Sequence, residues 1–540
     1  MAVKIGVLVA YFLVVLAVGF IARTRWKSTP EAYFLADRKL GTPVLLATMV
    51  STNFSAFTVF GTSGAGYRDG YAFFPIMGFG TGFMALTFWI LGRKIWEVGK
   101  SRNILTPPEL IRDLYGSPPL SSLFALVMIV FTIPYLALQP MAAGYALEAL
   151  VGLPYEYGCV LVTAIIVVYT LRGGMRAVAW TDLLQGTLMF GLLAVSLFIV
   201  IGHHGGLAAA NQKVLASNPA LFSRPGGMGK YTFAVWFSFM MLWFFCDPMF
   251  PQLFQRFFSA KSKRTVSRIM LYYPLICTAV FIMPIAIGVL GRLSYPGLVG
   301  KEADKILPMM LTAISGDVMA ALVIAAGLAA LMSTMDSQLL TLSSIFTKDI
   351  LPLVKKEARP GGVTGRIFVI GLSLAGLAMA YKPPATILQI ATQTFTGLAV
   401  LFPTVVFGLY CRRVFAAAAV ASIAAGEVLL VVFYFRWLSP RPFLPVVWVM
   451  LAAFVVYLAV HGWLLQRENA LALGRPRWMG NPYFWVFAAI FALAMDFWAW
   501  GATGPTFMGL PVWMGYFVLL SAVQTVGMVL LVRTERSAGE

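Results

Sequence analysis

The chain has 540 residues, of which 60% are hydrophobic and only 11% are charged. Soluble proteins carry roughly a quarter charged residues, so this composition excludes a soluble globular or disordered chain and predicts membrane-spanning segments. The formal net charge of +19 does not indicate nucleic-acid binding, because the basic residues stand in short loops between apolar segments. We therefore expect membrane lipids, and no nucleic acid, as partners.

Apolar stretches recur along the whole chain. A bilayer core of about 30 Å is crossed by about 20 helical residues, and this criterion predicts about 15 transmembrane helices. In chain order, the predicted stretches are 4–22, 42–67, 71–92, 118–149, 153–170, 174–202, 230–255, 266–291, 317–346, 364–381, 385–411, 413–435, 443–466, 482–501 and 510–532.

The loops indicate a topology. The first apolar stretch is too long for a cleavable signal and its basic residues follow it, so we interpret it as a retained span with its N-terminus outside. Alternate loops, beginning with RTRWK, then hold most of the 40 Lys and Arg residues, as the cytoplasmic side requires. The expected localisation is the cell (inner or plasma) membrane, multi-pass, with a cytoplasmic C-terminus.

The ninth stretch contains the polar segment AALMSTMDSQLLTLSSIFTKDI. On a helix, Ser333, Ser337, Thr341 and Ser344 share one face, and Asp336 borders it. Such hydroxyls often bond back to their own helix or join neighbouring helices. That alternative does not account for the carboxylate, which costs about 2.5–3.5 kcal/mol near the bilayer centre. A bound hard cation, which prefers oxygen ligands, would offset this cost.

Three further polar features point to the same cavity. The second stretch, MVSTNFSAFTVFGTSGAGYRDGY, is too long for one clean helix and carries Asn53 and Ser55 near its middle. An unwound helix is tolerated there only where it is buried in protein or lines a cavity; close packing through its glycines is the alternative. Asp182 and Asp247 are two more acids in apolar stretches, although Asp182 could be a helix cap. Together these features predict a cavity between the second, sixth, seventh and ninth stretches.

At these residues the chain resembles the sodium:solute symporter family, which includes proline, pantothenate, monocarboxylate, sugar and sialic acid transporters. The matching segments cover about residues 30–440 and read EAYFLADRKLG, STNFSAFTVFGTSGAGYRDGY, TPPELIRDLYG, LRGGMRAVAWTDLLQ, QLFQRFFSAKSKR and AALMSTMDSQLL with SSIFTKDI. Their combination is specific for the family.

The resemblance implies an all-α polytopic membrane protein with the five-plus-five inverted-repeat core of the amino-acid transporter superfamily. An extra N-terminal helix would occupy 1–30 and the core 31–412, with repeat one at about 42–202 and repeat two at about 230–411. Additional C-terminal helices and a short cytoplasmic tail would occupy 413–540.

The resemblance also implies two cation sites. The principal sodium site would use backbone carbonyls and side-chain hydroxyls of Ser51, Phe54, Ala330, Ser333 and Thr334. A possible second cation site would use Asp182, Asp336 and Ser337.

Two positions depart from the family pattern. Asp336 stands where some members have a hydroxyl. This acid could strengthen cation binding, carry a proton, or leave one acid of the pair neutral, since two nearby carboxylates raise one pKa. Asn53 replaces an acid of the proline-type members, which argues against proline as the solute.

The function implied is secondary active, sodium-coupled symport of a small polar organic solute into the cell by alternating access. We expect no organic cofactor, no enzymatic activity and no obligatory protein partner. A monocarboxylate or amino acid is preferred, with proton-coupled or sugar and polyol symport, or a transporter-like solute sensor, as alternatives. No Lys or Arg is expected in the cavity. The predicted solute-facing residues are Asn53, Ser55, Phe57, Asp247, Gln252 and Gln393, although the last could equally hydrogen-bond a neighbouring helix.

Overall fold

The computed structural model describes residues 1–22, 29–353, 363–468, 481–501 and 503–539. Three of the predicted cytoplasmic loops lie largely outside the described residues, at 23–28, 354–362 and 469–480. The chain is almost entirely helical. The only strands in the described part are the two-residue pair β1 (Thr506–Phe507) and β2 (Leu510–Pro511).

The helices follow one another with short connections. Their bounds are α1 Ala2–Ile21, α2 Pro30–Leu35, α3 Thr42–Asn53, α4 Thr62–Asp69, α5 Thr81–Met84, α6 Arg93–Ser101, α7 Pro107–Tyr115, α8 Pro118–Val151, α9 Tyr155–His203, α10 Leu207–Ser217, α11 Phe233–Cys246, α12 Pro251–Ser259, α13 Lys263–Gly291, α14 Ile306–Ile314, α15 Asp317–Ile345, α16 Val363–Tyr381, α17 Ile387–Ala399, α18 Phe402–Tyr410, α19 Ala416–Tyr434, α20 Pro445–Arg467, α21 Pro482–Leu493 and α22 Val512–Gly539. Short 3₁₀ and π segments extend several of them.

The helices match the apolar stretches of the sequence. In the described part, 11 helical segments are long and apolar enough to cross a membrane, and two bent pairs raise this number to 13. Two shorter apolar helices, Tyr155–Leu171 and Pro482–Leu493, coincide with the fifth and fourteenth predicted stretches. Each predicted stretch therefore overlaps a helix or a bent pair, which confirms the all-α polytopic architecture.

Two spans are broken in the middle. Helix α3 meets the segment Phe57–Ala72, which contains α4, at an angle of 59°, and α11 with its 3₁₀ extension meets α12 at 52°. The second break has a local cause, because Pro251 lacks the N–H that would continue the helix and its ring clashes with the preceding turn. The first break has no proline or glycine among residues 53–56, so other helices must stabilise it.

Burial separates an inner group of helices from an outer one. In the most apolar part of the α15 span 83% of residues are buried, against 28% for α1, α19 and α20. Helix α15 packs against α9 and α8, and α13 packs against α4. The inner helices carry the polar residues of interest, whereas α1, α19 and α20 present apolar side chains at the outer surface, as lipid-facing helices do.

The second half of the first broken span, Phe57–Ala72, packs backbone to backbone on α13. A Cβ atom at Gly288 would lie 2.0 Å from the carbonyl oxygen of Ser63, and one at Gly66 would lie 2.4 Å from that of Ile285. Only glycine permits this approach. The glycine-rich half of the second stretch is therefore a packing surface, as the alternative interpretation held, while its STNFS half forms the break.

A buried ion pair joins the loop after α10 to the segment after α21. Nε and Nη2 of Arg224 donate to the two carboxylate oxygens of Asp496 at 2.7 and 2.8 Å, and both side chains are fully buried. The rings of Trp500 and Trp513 lie against the guanidinium, at 4.4 and 5.3 Å. This pair fastens the C-terminal helices to the core.

We expect the substitution Asp496→Ala to reduce the free energy of unfolding by about 3–5 kcal/mol, because it leaves the Arg224 charge buried without its partner. Thermal unfolding of the purified protein in detergent measures this loss. The matched control is Glu468→Ala, which breaks the exposed pair between Arg413 and Glu468 and should cost less than about 1 kcal/mol. Equal shifts in the two variants would contradict the prediction.

Candidate functional site

The first break is held by hydroxyl groups of α15. The Ser333 hydroxyl donates to the carbonyl oxygen of Ser51 at 2.9 Å, and the Thr334 hydroxyl donates to that of Thr52 at 3.0 Å. Both hydroxyls also lie within hydrogen-bond distance of the Ala330 carbonyl oxygen, at 3.0 and 3.3 Å. The hydroxyl face predicted on the ninth stretch thus contacts the carbonyls that the break frees.

This contact places a set of oxygen atoms together in a buried region. The Ser333 hydroxyl lies within hydrogen-bond distance of the carbonyl oxygens of Ser51 and Ala330, and the Thr334 hydroxyl lies within that distance of the Ala330 carbonyl oxygen. Phe54 is the first residue after α3 and has φ −89° and ψ 88°, so its carbonyl does not point along the helix axis. The Ser51 hydroxyl has no hydrogen-bond partner among the described residues. A set of ligands made up of carbonyl and hydroxyl oxygens suits a hard monovalent cation such as Na⁺.

The second predicted site is also a real cluster. One oxygen of Asp336 accepts a hydrogen bond from the Tyr169 hydroxyl at 3.0 Å, and the other accepts one from Ser337 at 3.2 Å. The hydroxyls of Ser337 and Thr52 are 3.0 Å apart, and Thr52 donates to Asp182 at 3.3 Å. Three helices, α3, α9 and α15, therefore converge on two buried carboxylates.

The expectation that no Lys or Arg enters the cavity region is wrong. Arg256 on α12 is fully buried, and its Nη2 donates to Asp182 at 2.9 Å and to Ser337 at 2.7 Å. Nε donates to Thr48 at 2.9 Å and Nη1 to the carbonyl of Gln252 at 2.8 Å. The sequence placed this arginine among cytoplasmic loop residues, but the bend before Pro251 directs α12 back across α3.

A second polar group lies where the two breaks face each other. The Asn53 amide donates to the Tyr273 hydroxyl at 2.6 Å and makes a long contact of 3.5 Å with Asp247. The other oxygen of Asp247 has no partner in the described structure. An unpartnered buried carboxylate oxygen is costly, so a donor from a bound solute would stabilise this point.

Aromatic rings close around this polar group. The cavity is lined by Asn53, Phe57, Thr58, Met77, Thr81, Tyr135, Trp243, Asp247, Phe250, Phe281 and Phe395, and its volume is about 10 Å³. Such a volume holds about one water molecule. The structure thus shows a closed chamber, which is too small to hold a small organic molecule without opening.

The predicted solute-facing residues divide into two groups. Asn53, Phe57 and Asp247 line the chamber, whereas the Ser55 hydroxyl accepts the backbone N–H of Phe57 at the break. The Gln252 amide is buried next to the second break and has no partner among the described residues.

Gln393 does not belong to this set. Its side chain is exposed on α17, and Phe395 of the same helix lines the chamber instead. Two residues advance a helix by about 200°, so these side chains point in opposite directions.

Sequence reasoning missed two residues that support the site. The Gln139 side chain on α8 accepts the backbone N–H of Ala56 at 3.1 Å and so satisfies a donor freed by the first break. Tyr273 on α13 holds Asn53. A glutamine followed by Pro140 inside an apolar stretch was an available signal for the first residue; the tyrosine had no distinguishing pattern.

Comparisons with known proteins agree with this geometry. The model of the sodium:solute symporter family matches residues 33–426. The chain is 30% identical over 467 residues to the sodium/pantothenate symporter of Escherichia coli, covering 83% of this chain and 95% of that protein. It is 26% identical over 427 residues to the high-affinity proline transporter of Bacillus subtilis, covering 77% and 89%.

Solved structures show a similar fold. A Na⁺-coupled sialic acid symporter in a substrate-bound outward-open state aligns with a TM-score of 0.71 at 19% identity, covering 85% of this chain and 98% of that one. A nucleobase-cation-symport-1 family transporter aligns with a TM-score of 0.56 at 15% identity, covering 81% and 95%.

We expect Arg256→Gln to reduce the free energy of unfolding by about 3–5 kcal/mol, because Asp182 then remains buried without its counter-charge. The double variant with Asp182→Asn removes both charges and should recover most of this loss. Thermal unfolding in detergent of the two single variants and the double variant measures the coupling. Additive losses would show that the two groups do not interact.

Proposed function

Because the chain belongs to the sodium:solute symporter family, we propose that it carries a small carboxylate-bearing solute into the cell together with Na⁺. Its transport cycle is alternating access around the closed chamber. The observation that supports this best is the direct contact between the α15 hydroxyls and the carbonyls of the first break. A broken helix whose free backbone groups meet a polar partner helix is the arrangement that binds coupling ions in such folds.

The coupling ion is assigned to Ser51, Phe54, Ala330, Ser333 and Thr334. An Na⁺ ion among these oxygens would replace two donated hydrogen bonds by coordination and would hold α3 against α15 in one orientation. Inward movement of one charge across 100 mV supplies about 2.3 kcal/mol, which corresponds to a concentration ratio of roughly fifty. That is sufficient to accumulate a solute.

The proposal assigns coupling to this principal site alone. At the second cluster, Arg256 already donates to Asp182 and Ser337, two of the three predicted ligands. The positive charge that the carboxylates require is thus supplied in part by the chain itself. Asp336, which keeps Tyr169 as a donor, is assigned to positioning α15 against α9.

The solute class follows from the chamber. Asn53 offers an amide and Asp247 an unpartnered carboxylate oxygen, so the solute needs a donor facing Asp247. The carboxylate of the solute would turn toward the bound cation. Pantothenate, which the two bacterial relatives of that name carry, has hydroxyl and amide donors as well as a carboxylate; an amino acid has an ammonium group instead.

The orientation proposed is N-terminus outside and C-terminus cytoplasmic, in the plasma membrane. It is supported by the Lys and Arg residues of alternate loops. The outer ends of the two broken spans, Asp69 and Phe233, then lie on the extracellular side.

We expect Ser333→Ala with Thr334→Ala to abolish Na⁺-dependent uptake, because both hydroxyl ligands of the ion are lost. Uptake of labelled pantothenate and proline into proteoliposomes under an inward Na⁺ gradient, with K⁺ as the control cation, measures the effect. Accumulation by the unmodified protein also separates transport from solute sensing. The control is Ser373→Ala, whose buried hydroxyl donates only to its own helix. Normal Na⁺-dependent uptake by the double variant would refute the site assignment.

We expect Asp247→Asn to discriminate between solute classes. A charged hydrogen bond contributes about 1.5–3 kcal/mol and a neutral one about 0.5–1.5 kcal/mol. If the solute is an amino acid, its ammonium loses the charged partner and KM rises by about tenfold or more. If the solute presents hydroxyls or an amide, the neutral Asn retains an acceptor and KM rises by less. Competition of unlabelled solutes against uptake distinguishes the two cases, and an unchanged KM for every solute would remove Asp247 from the chamber.

A further inference from the structure

A second and larger cavity lies at the end of the bundle that the proposed orientation places outside the cell. Its volume is about 420 Å³, within the range of small-molecule sites. Three lysines and three tyrosines line it, and we call this set the lysine vestibule: Tyr145, Tyr155, Lys301, Lys305, Tyr381 and Lys382.

The vestibule carries an excess of positive charge. Lys305 pairs with Glu148 at 2.6 Å. Lys301 donates to the carbonyl of Pro383 at 2.8 Å, and Lys382 lies 5.8 Å from the centre of the Tyr381 ring. Among the described residues, neither of these two lysines forms an ion pair with a carboxylate.

Other acids are close to the vestibule without lining it. Glu302 stands on the short helix Gly300–Lys305, which carries Lys301 and Lys305. Glu156 follows Tyr155, and Asp304 is paired with Arg68. The wall itself therefore contains ammonium groups and aromatic rings, which together suit an anion with an organic body.

The short helix Gly300–Lys305 connects the vestibule to the transport pathway. Its Asp304 accepts hydrogen bonds from Arg68, at the outer end of the first broken span, at 2.9 Å, and from the backbone N–H of Ile387, at the start of α17, at 3.0 Å. Both α17 and the broken span contribute residues to the solute chamber. This short helix thus places Lys301 and Lys305 in the vestibule wall. Its Asp304 binds the ends of two helical segments that also line the chamber.

We propose that the lysine vestibule is an external binding site for the carboxylate of the transported solute, occupied before the solute reaches the chamber. This inference rests on the proposed function, because it takes the carboxylate solute from there. An ammonium-lined cavity raises the local concentration of an anion and accelerates its association. A phosphate-bearing lipid headgroup shares this anionic chemistry and is the competing occupant, since Lys and Tyr also occur at membrane interfaces.

The test is equilibrium binding of labelled pantothenate to the full chain in phosphatidylcholine nanodiscs, without Na⁺. We expect saturable binding by the unmodified protein and by the variant carrying Ser333→Ala and Thr334→Ala. The double variant with Lys301→Gln and Lys382→Gln should bind about tenfold more weakly or worse. The matched control is Lys213→Gln, an exposed lysine on α10 that donates to the backbone of His204; its affinity should be unchanged.

Two further arms identify the bound group and its source. The neutral alcohol of pantothenate should not compete, because it lacks the carboxylate; equal competition would overturn the proposal. Nanodiscs containing phosphatidylglycerol test the lipid. Loss of pantothenate binding there would assign the vestibule to headgroups and overturn the solute as its occupant.

The outcomes separate the two proposals. Na⁺-driven uptake of pantothenate without lysine-dependent, Na⁺-free binding would overturn the vestibule and leave the proposed function intact. Lysine-dependent binding without any Na⁺-driven uptake would support the vestibule and refute the symport of this solute.

Discussion

The structure depends on the hydrogen bonds that join the α15 hydroxyls to the backbone of the first break. Ser333 and Thr334 donate to carbonyls of Ser51 and Thr52 that no longer serve a continuous helix. An unsatisfied backbone group costs several kcal/mol inside a membrane, so the broken span depends on the hydroxyls that α15 presents at this level. The same hydroxyl and carbonyl oxygens make the place suitable for a desolvated cation. The stability of the break and the proposed ion site thus use one set of atoms.

Electrostatic neutrality shapes the neighbouring cluster. Two carboxylates from α9 and α15 could not both remain ionised and buried without positive charge, and Arg256 brings a guanidinium from α12 to Asp182. The bend of 52° before α12 makes this possible, because it directs the side chain toward α3, α9 and α15. Both broken spans therefore contribute to this cluster, α3 through the hydroxyls of Thr48 and Thr52 and α12 through the guanidinium of Arg256.

The two cavities differ in chemistry as well as size. The closed chamber is aromatic with one amide and one carboxylate, which suits a selective and nearly anhydrous contact with a solute. The lysine vestibule is open and positively charged, which suits capture from solution. An ion pair between Asp304 and Arg68 lies between them, and the glycines Gly66 and Gly288 allow the first broken span and α13 to pack closely.

The sequence by itself determined the helical membrane architecture, the hydroxyl face of the ninth stretch and the interruption of the second stretch. These features are local: hydrophobic length, helical periodicity and polar interruptions can be read within one segment. The resemblance to the family also predicted that Ser51, Ser333 and Thr334 lie together in one site.

Only the tertiary structure decided which polar side chains share a site. Arg256 was assigned to a loop because it lies just beyond the seventh predicted stretch, 230–255, whereas its burial depends on how α12 packs against α3. Gln393 was assigned to the cavity because it interrupts an apolar helix, but the rotation of α17 turns Phe395 inward instead. Gln139 and Tyr273 act through partners 83 and 220 residues away. Contacts of this kind depend on how helices cross and rotate, which the order of residues within one helix does not specify.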